Sequence, residues 1–507
     1  MSLHFITRFL PAALIGIGCG LLPLGCETPE RRDERLARQY CGSCHAYPEP
    51  GLLPKALWAE RIMPAMALRM GFESMNQLVQ MDEDERNALM RILPDKPMLS
   101  EEEFEHIKAY YQRHAPDTLT LPTALVTQPL HQFDAMPYYL PTPPLITMIQ
   151  ADTLHRQLFV GTRLSKVYTL TEDLVKKDSL TLPGPPSAMI VDDHQRIFLS
   201  MGIMDPNDAT RGQVWVQPDT GTAFGLIDSL QRPVHFQQTD LNADGRQDYL
   251  VCAFGNHTGA LLAYEGQADG TLKKHVLATG AGARKTILRD FDNNGLPDIA
   301  ALLTQGDERI ILLLNYGQFK FRVTTLLRFP PVYGSSFFEL VDFNHDQHPD
   351  IVYSNGDNAD YSPILKPYHG VRLFLNDGTN RFTESFFLPL HGAFQTSTQD
   401  FDRDGDLDIA AISFFPDFRE HAEQGFVYYE NTGGSFHAYT TSLAAGGRWI
   451  TMETTDLNHD HYPDLLIGAL DFDTGVPRPL IQQWASGKTS LLVLKNTAGL
   501  ASTSARP

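Results

Sequence analysis

Two cysteines three apart, followed at once by a histidine, occur at one place in this chain: Cys41-Gly-Ser-Cys44-His45. Covalent attachment of a c-type haem requires that spacing, because residues three apart share a face of a helical turn and two thiols then reach both vinyl groups of one porphyrin. His45 follows as the proximal ligand to the iron. A thioredoxin-like dithiol or half of a zinc site could use the same residues. The first belongs in a βαβ setting, absent here, and the second needs further Cys or His at metal spacing. The chain has five cysteines, Cys19, Cys26, Cys41, Cys44 and Cys252, and no second such pair. The reading is therefore haem c, with Cys41 and Cys44 as thioether donors. A methionine thioether is the usual sixth ligand, and Met63, Met66, Met70, Met90 and Met98 are available. Met66 is preferred because it follows Pro64, where a helix loses register and a side chain can turn toward iron. Met98 is the runner-up, and His106 and His114 leave bis-His ligation open.

A second constellation is acidic and repeated. DLNADGRQD supplies Asp240, Asn242, Asp244, Arg246 and Asp248 at positions one, three, five, seven and nine. The same positions are Asp290, Asp292, Asn294, Leu296 and Asp298 in DFDNNGLPD, and Asp342, Asn344, Asp346, His348 and Asp350 in DFNHDQHPD. They are Asp400, Asp402, Asp404, Asp406 and Asp408 in DFDRDGDLD, and Asp456, Asn458, Asp460, Tyr462 and Asp464 in DLNHDHYPD. Oxygen side chains at one, three, five and nine, with the backbone carbonyl of seven, can encircle one Ca²⁺. Position six needs a tight turn; Gly245, Gly295 and Gly405 supply it, whereas Gln347 and His461 make the third and fifth loops less secure. The bidentate Glu of an EF-hand is missing, and strands flank the loops. One such run would be a surface turn; five in one register call for a metal.

These constellations need different scaffolds. Residues 35–117 read as helical: ERRDERLARQYCGSCH leads into the haem motif, KALWAERIMPAMALRMG is a helix interrupted at Pro64, MDEDERNALMRIL is a third, and LSEEEFEHIKAYYQRHA a fourth. The last opens on a capping box, Ser100 with Glu103, and carries Phe104, Ile107, Tyr110 and Tyr111 on one face. Residues 118–142 form a proline-rich linker. From 143 to 500 the chain turns to short apolar strands, one entering each acidic loop and one leaving it, and the loops recur every 50–58 residues. Four strands per repeat is a propeller blade. Two blades without acidic loops precede the five, making seven. The last blade lacks a fourth strand, which a segment near 120–140 can provide. The fold class is a small all-α domain followed by an all-β seven-bladed propeller.

The motif helix and the final helix with paired tyrosines resemble small class I cytochromes c over about 80 residues. The acidic repeats resemble the FG-GAP/VCBS repeats of integrin-α-type propellers, which implies calcium loops between the first two strands of a blade. The first 25 residues, with an apolar run broken by Pro11 and Pro23, fit a cleaved export signal better than a membrane span. LLPLGC resembles a bacterial lipobox with Gly25 before Cys26, although Pro23 stands where an aliphatic residue is usual; it implies lipidation of Cys26 and a tether over 26–34. Cys19 is a weaker rival, and Cys252, in DYLVCAF, reads as a small buried core residue.

The net charge of −20 argues against nucleic acid and against binding an anionic membrane surface by charge. Membrane contact is expected by lipid anchor only. The expected function is an exported, envelope-localised haem c electron carrier whose propeller docks a redox partner protein or another macromolecular ligand. Two alternatives stand beside it: a haem-linked dehydrogenase acting on sugars or alcohols, and an adhesive or glycan-binding propeller with an accessory haem. No Ser/His/Asp constellation stands out, so a carrier or binder is favoured over a catalyst.

Overall fold

The structure, a computed structural model, describes residues 27–72, 78–79, 81–358 and 363–498. The apolar leader and Cys26 lie outside them. Among the described residues, no helix is long and apolar enough to cross a membrane.

Helix α1, Pro29–Cys41, is capped by Thr28, whose side chain accepts from the Arg31 amide, and buries Leu36, Ala37 and Cys41. Cys41 is its last residue. The sequence reading carried one helix through the whole motif, but Gly42 caps α1 with its amide on the Arg38 carbonyl, so Cys44 and His45 sit on the turn beyond. The expected interruption at Pro64 is also not a break. α2, Lys55–Leu57, runs through a π-helical stretch, Trp58–Ile62, into α3, Met63–Arg69. Pro64 has no N–H to donate back, and the Met63 amide instead reaches the Trp58 carbonyl five residues behind, so the extra residue is absorbed as a π-turn. α4, Glu83–Met90, starts at Asp82. α5, Glu101–His114, opens on the expected capping box and buries Phe104, Ile107, Tyr110 and Tyr111. Buried Asp33 ties α1 to α5 through Arg113 (2.5 Å) and His106 (3.1 Å).

Seven antiparallel sheets follow, spanning 146–181, 186–230, 233–279, 283–328, 335–389, 393–440 and 449–496. The first strands of neighbouring blades adjoin one another around the ring. Second strands such as Asp248–Ala253, Asp298–Leu303 and Asp464–Ala469 are buried along their whole length, as strands sandwiched between neighbouring blades must be. Cys252 is one of these residues, free and buried. Blade seven takes its outer strand from the linker: Phe133–Tyr138 runs antiparallel to Leu491–Asn496, pairing Phe133 with Asn496 and Tyr138 with Leu491. N- and C-terminal segments thus share one sheet and the ring has no open edge there. Gln128–Pro129 adds a short parallel fifth strand beside Ser435–Thr440 in blade six.

Alternating strands give the ring two ends. The acidic loops join first to second strands at one end. The second-to-third connections lie at the other, where the helices form a cap over blades three, four and five. A final helix, α6, Arg478–Gly487, belongs to the blade-seven connection at that end.

Candidate haem motif and acidic loops

Cys41 is buried in a cluster with Trp58, Met63, Met70 and Tyr111, and the cluster continues into Val332 and Tyr368 of the propeller. Burial pushes the Cys41 thiol up to about 11. Cys44 is exposed. Its carbonyl accepts from the Arg328 guanidinium of blade four (3.3 Å), and Arg328 is itself held by Asp307 at 2.6 Å. His45 is half-buried, with Nδ1 on the Ala46 carbonyl at 2.9 Å. Burial holds its imidazole below the usual range, with Asp307, Arg328 and Arg69 acting on it as well. Nδ1–H donating to a carbonyl is the tautomer that leaves the Nε2 lone pair for a metal. Two thiols and such an imidazole are the donor set a haem c needs, and the residues fit that group. Two further contacts fix the cap: the Tyr368 hydroxyl donates to the Leu52 carbonyl (3.0 Å), and His257 of blade three bridges Arg69 and Glu85, each at 3.2 Å.

Of the possible sixth ligands, Met63 and Met70 pack in the same cluster as Cys41. Met66 is half-buried, one helical turn before Arg69, and Met98 is exposed. His106 is engaged with Asp33 and His114 with Glu30. Asp307, Arg328, Tyr333 and Tyr368 escaped the sequence reading: they lie far along the chain, with no local pattern linking them to the motif.

The five acidic loops repeat one hydrogen-bond scheme. Position one accepts the amide of position six: Gly245 on Asp240 and Gly295 on Asp290 at 2.8 Å, Gln347 on Asp342 at 2.9 Å, Gly405 on Asp400 at 3.2 Å and His461 on Asp456 at 2.8 Å. Gln347 (φ 70°) and His461 (φ 71°) take the same left-handed turn as the glycines they replace. Position five accepts the amide of position seven in each loop, from Arg246, Leu296, His348, Asp406 and Tyr462. In the second and fourth loops, carboxylate oxygens of Asp290, Asp292 and Asp298, and of Asp400, Asp402 and Asp404, lie within 4.8 Å of one another. In the other three, the position-three amides of Asn242, Asn344 and Asn458 donate to Asp244, Asp346 and Asp460.

Position nine does something the sequence reading did not assign. Asp248, Asp298, Asp350, Asp408 and Asp464 are fully buried. One oxygen of each accepts the amide of position two, and the other accepts an amide at the end of the third strand, from Gly266, Asn315, Asn376, Asn431 and Asn496 respectively. Burial raises all five carboxyls, Asp408 to about 7. In blades four to seven the receiving residue is an asparagine whose amide donates back to the loop, as Asn376 does to the Pro349 carbonyl (3.1 Å) and Asn431 to that of Leu407 (3.1 Å). A signal for these was present in the NYG, NDG and NTG turns that follow the third strands.

These loops are FG-GAP repeats. The family described as FG-GAP-like repeat matches residues 240–301, 290–353 and 400–467, which take in all five acidic stretches. No curated protein matches the chain. Solved structures with some likeness include the WD40 domain of Neurospora crassa Pan2, at 13% identity and a TM-score of 0.45, covering 73% of this chain and 97% of that one. Another is an S. cerevisiae assembly of dbp5 with nup159, gle1, IP6 and ADP, at 9% identity and a TM-score of 0.43, covering 74% and 98%. The FG-GAP propeller fits a docking or binding role.

Proposed function

We propose that the protein is an exported haem c electron carrier whose calcium-loaded FG-GAP propeller docks a redox partner or another macromolecule. The observation that carries this reading is the motif turn, where Cys41, Cys44 and a His45 with its Nδ1 engaged would be the two thioether donors and the proximal ligand. When bound, the haem supplies one-electron redox chemistry. Cys41 and Cys44 would hold it by thioether bonds, and His45 would present Nε2 to the iron. Met66 is proposed as the sixth ligand: it shares a helical face with Arg69, which acts electrostatically on His45. Asp307 and Arg328 orient the Cys44–His45 turn, and the Tyr111 and Trp58 rings exclude water behind Cys41. On this reading the helical cap is a reduced class I cytochrome c domain. The acidic loops, at the far end of the ring, would each hold one Ca²⁺, and Cys26 would carry the lipid anchor to the envelope.

Expression with a haem-maturation system tests the proposal. The denatured protein should keep a haem stain that Cys41→Ala with Cys44→Ala removes, and the oxidised protein should lose its weak thioether band in Met66→Ala. Absence of any covalent haem in the wild type overturns the reading. Loss of the band in Met63→Ala, Met70→Ala or Met98→Ala alone moves the sixth ligand there.

A further inference from the structure

Three charges act on His45 among the described residues, and the ring holds each of them in place. Asp307 lies on the second-to-third connection of blade four, and Arg328 ends the fourth strand of the same blade. They pair at 2.6 Å, Asp307 pairs again with Arg309, and the Arg328 guanidinium donates to the Cys44 carbonyl at 3.3 Å. The third charge, Arg69, belongs to α3 but is held by His257 of blade three. A guanidinium only donates, so His257 Nδ1 accepts from it (3.2 Å), and Nε2 carries the proton that goes to Glu85 (3.2 Å). His257 is itself fixed, because its amide donates to the buried Asp208 carboxylate at 3.0 Å.

These charges differ in sign. Asp307 favours a positive charge on the imidazole, and Arg328 and Arg69 oppose it. A redox centre whose two states differ by one positive charge responds with the same signs: a nearby anion favours the oxidised state and a nearby cation the reduced one. Two cations against one anion favour the reduced state. Two of the three charges belong to the propeller, and the third is oriented by it. The surroundings of the proximal ligand are therefore built in large part by blades three and four.

We propose that the propeller sets the midpoint potential of the haem, with Asp307, Arg328 and Arg69 as positioning residues that act through their charge. The inference rests on the haem reading above, and it gives the joining of cap and ring a consequence: a charge disturbed at blade four is felt at the redox centre. Anaerobic spectroelectrochemical titration of the full, haem-matured chain tests it. Asp307→Asn should raise the midpoint, and Arg328→Gln and Arg69→Gln should lower it. Each should change the ferric-to-ferrous ratio at a fixed applied potential by about two- to fivefold, after solvent screening. The shifts should shrink in about 1 M salt, where the Debye length falls to about 3 Å. Arg328→Lys keeps the charge and should keep the wild-type midpoint, whereas a purely structural role for Arg328 would move the Lys and Gln variants alike. That pair alone keeps the test decisive if Asp307→Asn does not fold. Unmoved midpoints, shifts of one sign in all three charge variants, or equal shifts for Arg328→Gln and Arg328→Lys overturn the inference and leave the haem reading intact. A wild type without covalent haem overturns both.

Discussion

Each acidic loop of the propeller is held from within its own blade, by a buried carboxylate that joins the loop to the third strand of the same sheet. The Cys41–His45 turn is held partly within the helical region, by Gly42 and Ser43 on the carbonyls of Arg38 and Tyr40, and partly from outside it, by Arg328 and by the cluster around Tyr368, both more than two hundred residues away. The loops also support one another. His345 reaches the Gly405 carbonyl (3.2 Å), Arg403 the His461 carbonyl (2.5 Å), and His459 reaches Glu172 of blade one (3.0 Å). A loop built this way keeps its shape through local bonds repeated five times. The motif turn draws part of its support from the contact between cap and ring.

Asp464→Ala is the harshest test of that contrast. It strands the amides of Leu457 (2.9 Å) and Asn496 (2.7 Å) in a buried site, and Asn496 lies on the strand that receives Phe133–Tyr138 to close the ring. Two buried amides without partners should cost on the order of 4 kcal/mol, read as a fall in the urea midpoint. Arg328→Ala, which removes one exposed hydrogen bond to the cap, should cost under about 1 kcal/mol and leave the propeller transition where it was. Equal losses in the two variants would mean that the ring does not rely on its position-nine carboxylates.

Emptying one of the proposed calcium sites comes next in size. Each site filled at ten- to a hundredfold above its dissociation constant adds about 1–3 kcal/mol. Chelator should lower the melting temperature of the propeller and leave the haem absorption largely intact, because the helical region has no such loop. Among single changes, Asp404→Ala should cost more than Asp346→Ala: Asp404 belongs to a loop whose three carboxylates converge, whereas Asp346 already takes the Asn344 amide at 2.9 Å. A calorimetric scan unmoved by chelator would remove the structural role for calcium.

The propeller was legible because its information is local and repeated: strand, acidic loop and strand recur in one register, and an incomplete last blade pointed to a strand from the linker. The capping box of α5 was legible for the same reason. The course of the chain around the motif was not. Apolar periodicity cannot distinguish a helix ending at Gly42 from one that continues, nor a proline break from a π-turn at Trp58–Ile62. The dual role of position nine was hidden for a different reason, since an aspartate written into a metal-loop pattern looks like a ligand, and only its burial reveals the backbone amides it serves.

The smallest expected effect concerns blade seven's first strand, where Glu453 accepts the Ala151 amide of blade one at 2.9 Å. Burial raises its carboxyl from 4.5 to about 7, opposed by the Ala151 hydrogen bond; Gln150 Nε2 also donates to it, at 3.4 Å. With the folded value above the unfolded one, the native state binds more protons between about pH 4.5 and 7. The contribution of Glu453 to stability is therefore greatest below pH 4.5 and falls as pH rises through 7. Glu453→Gln keeps the acceptor oxygen for Ala151 and removes the charge, so it should stabilise the ring by about 1–2 kcal/mol at pH 8 and change little at pH 4.5. The two proteins' stabilities, followed by urea denaturation across that window, should diverge as pH rises. Parallel curves would show that Glu453 is ionised in the folded ring at no cost, and that the contact between blades seven and one tolerates a charge.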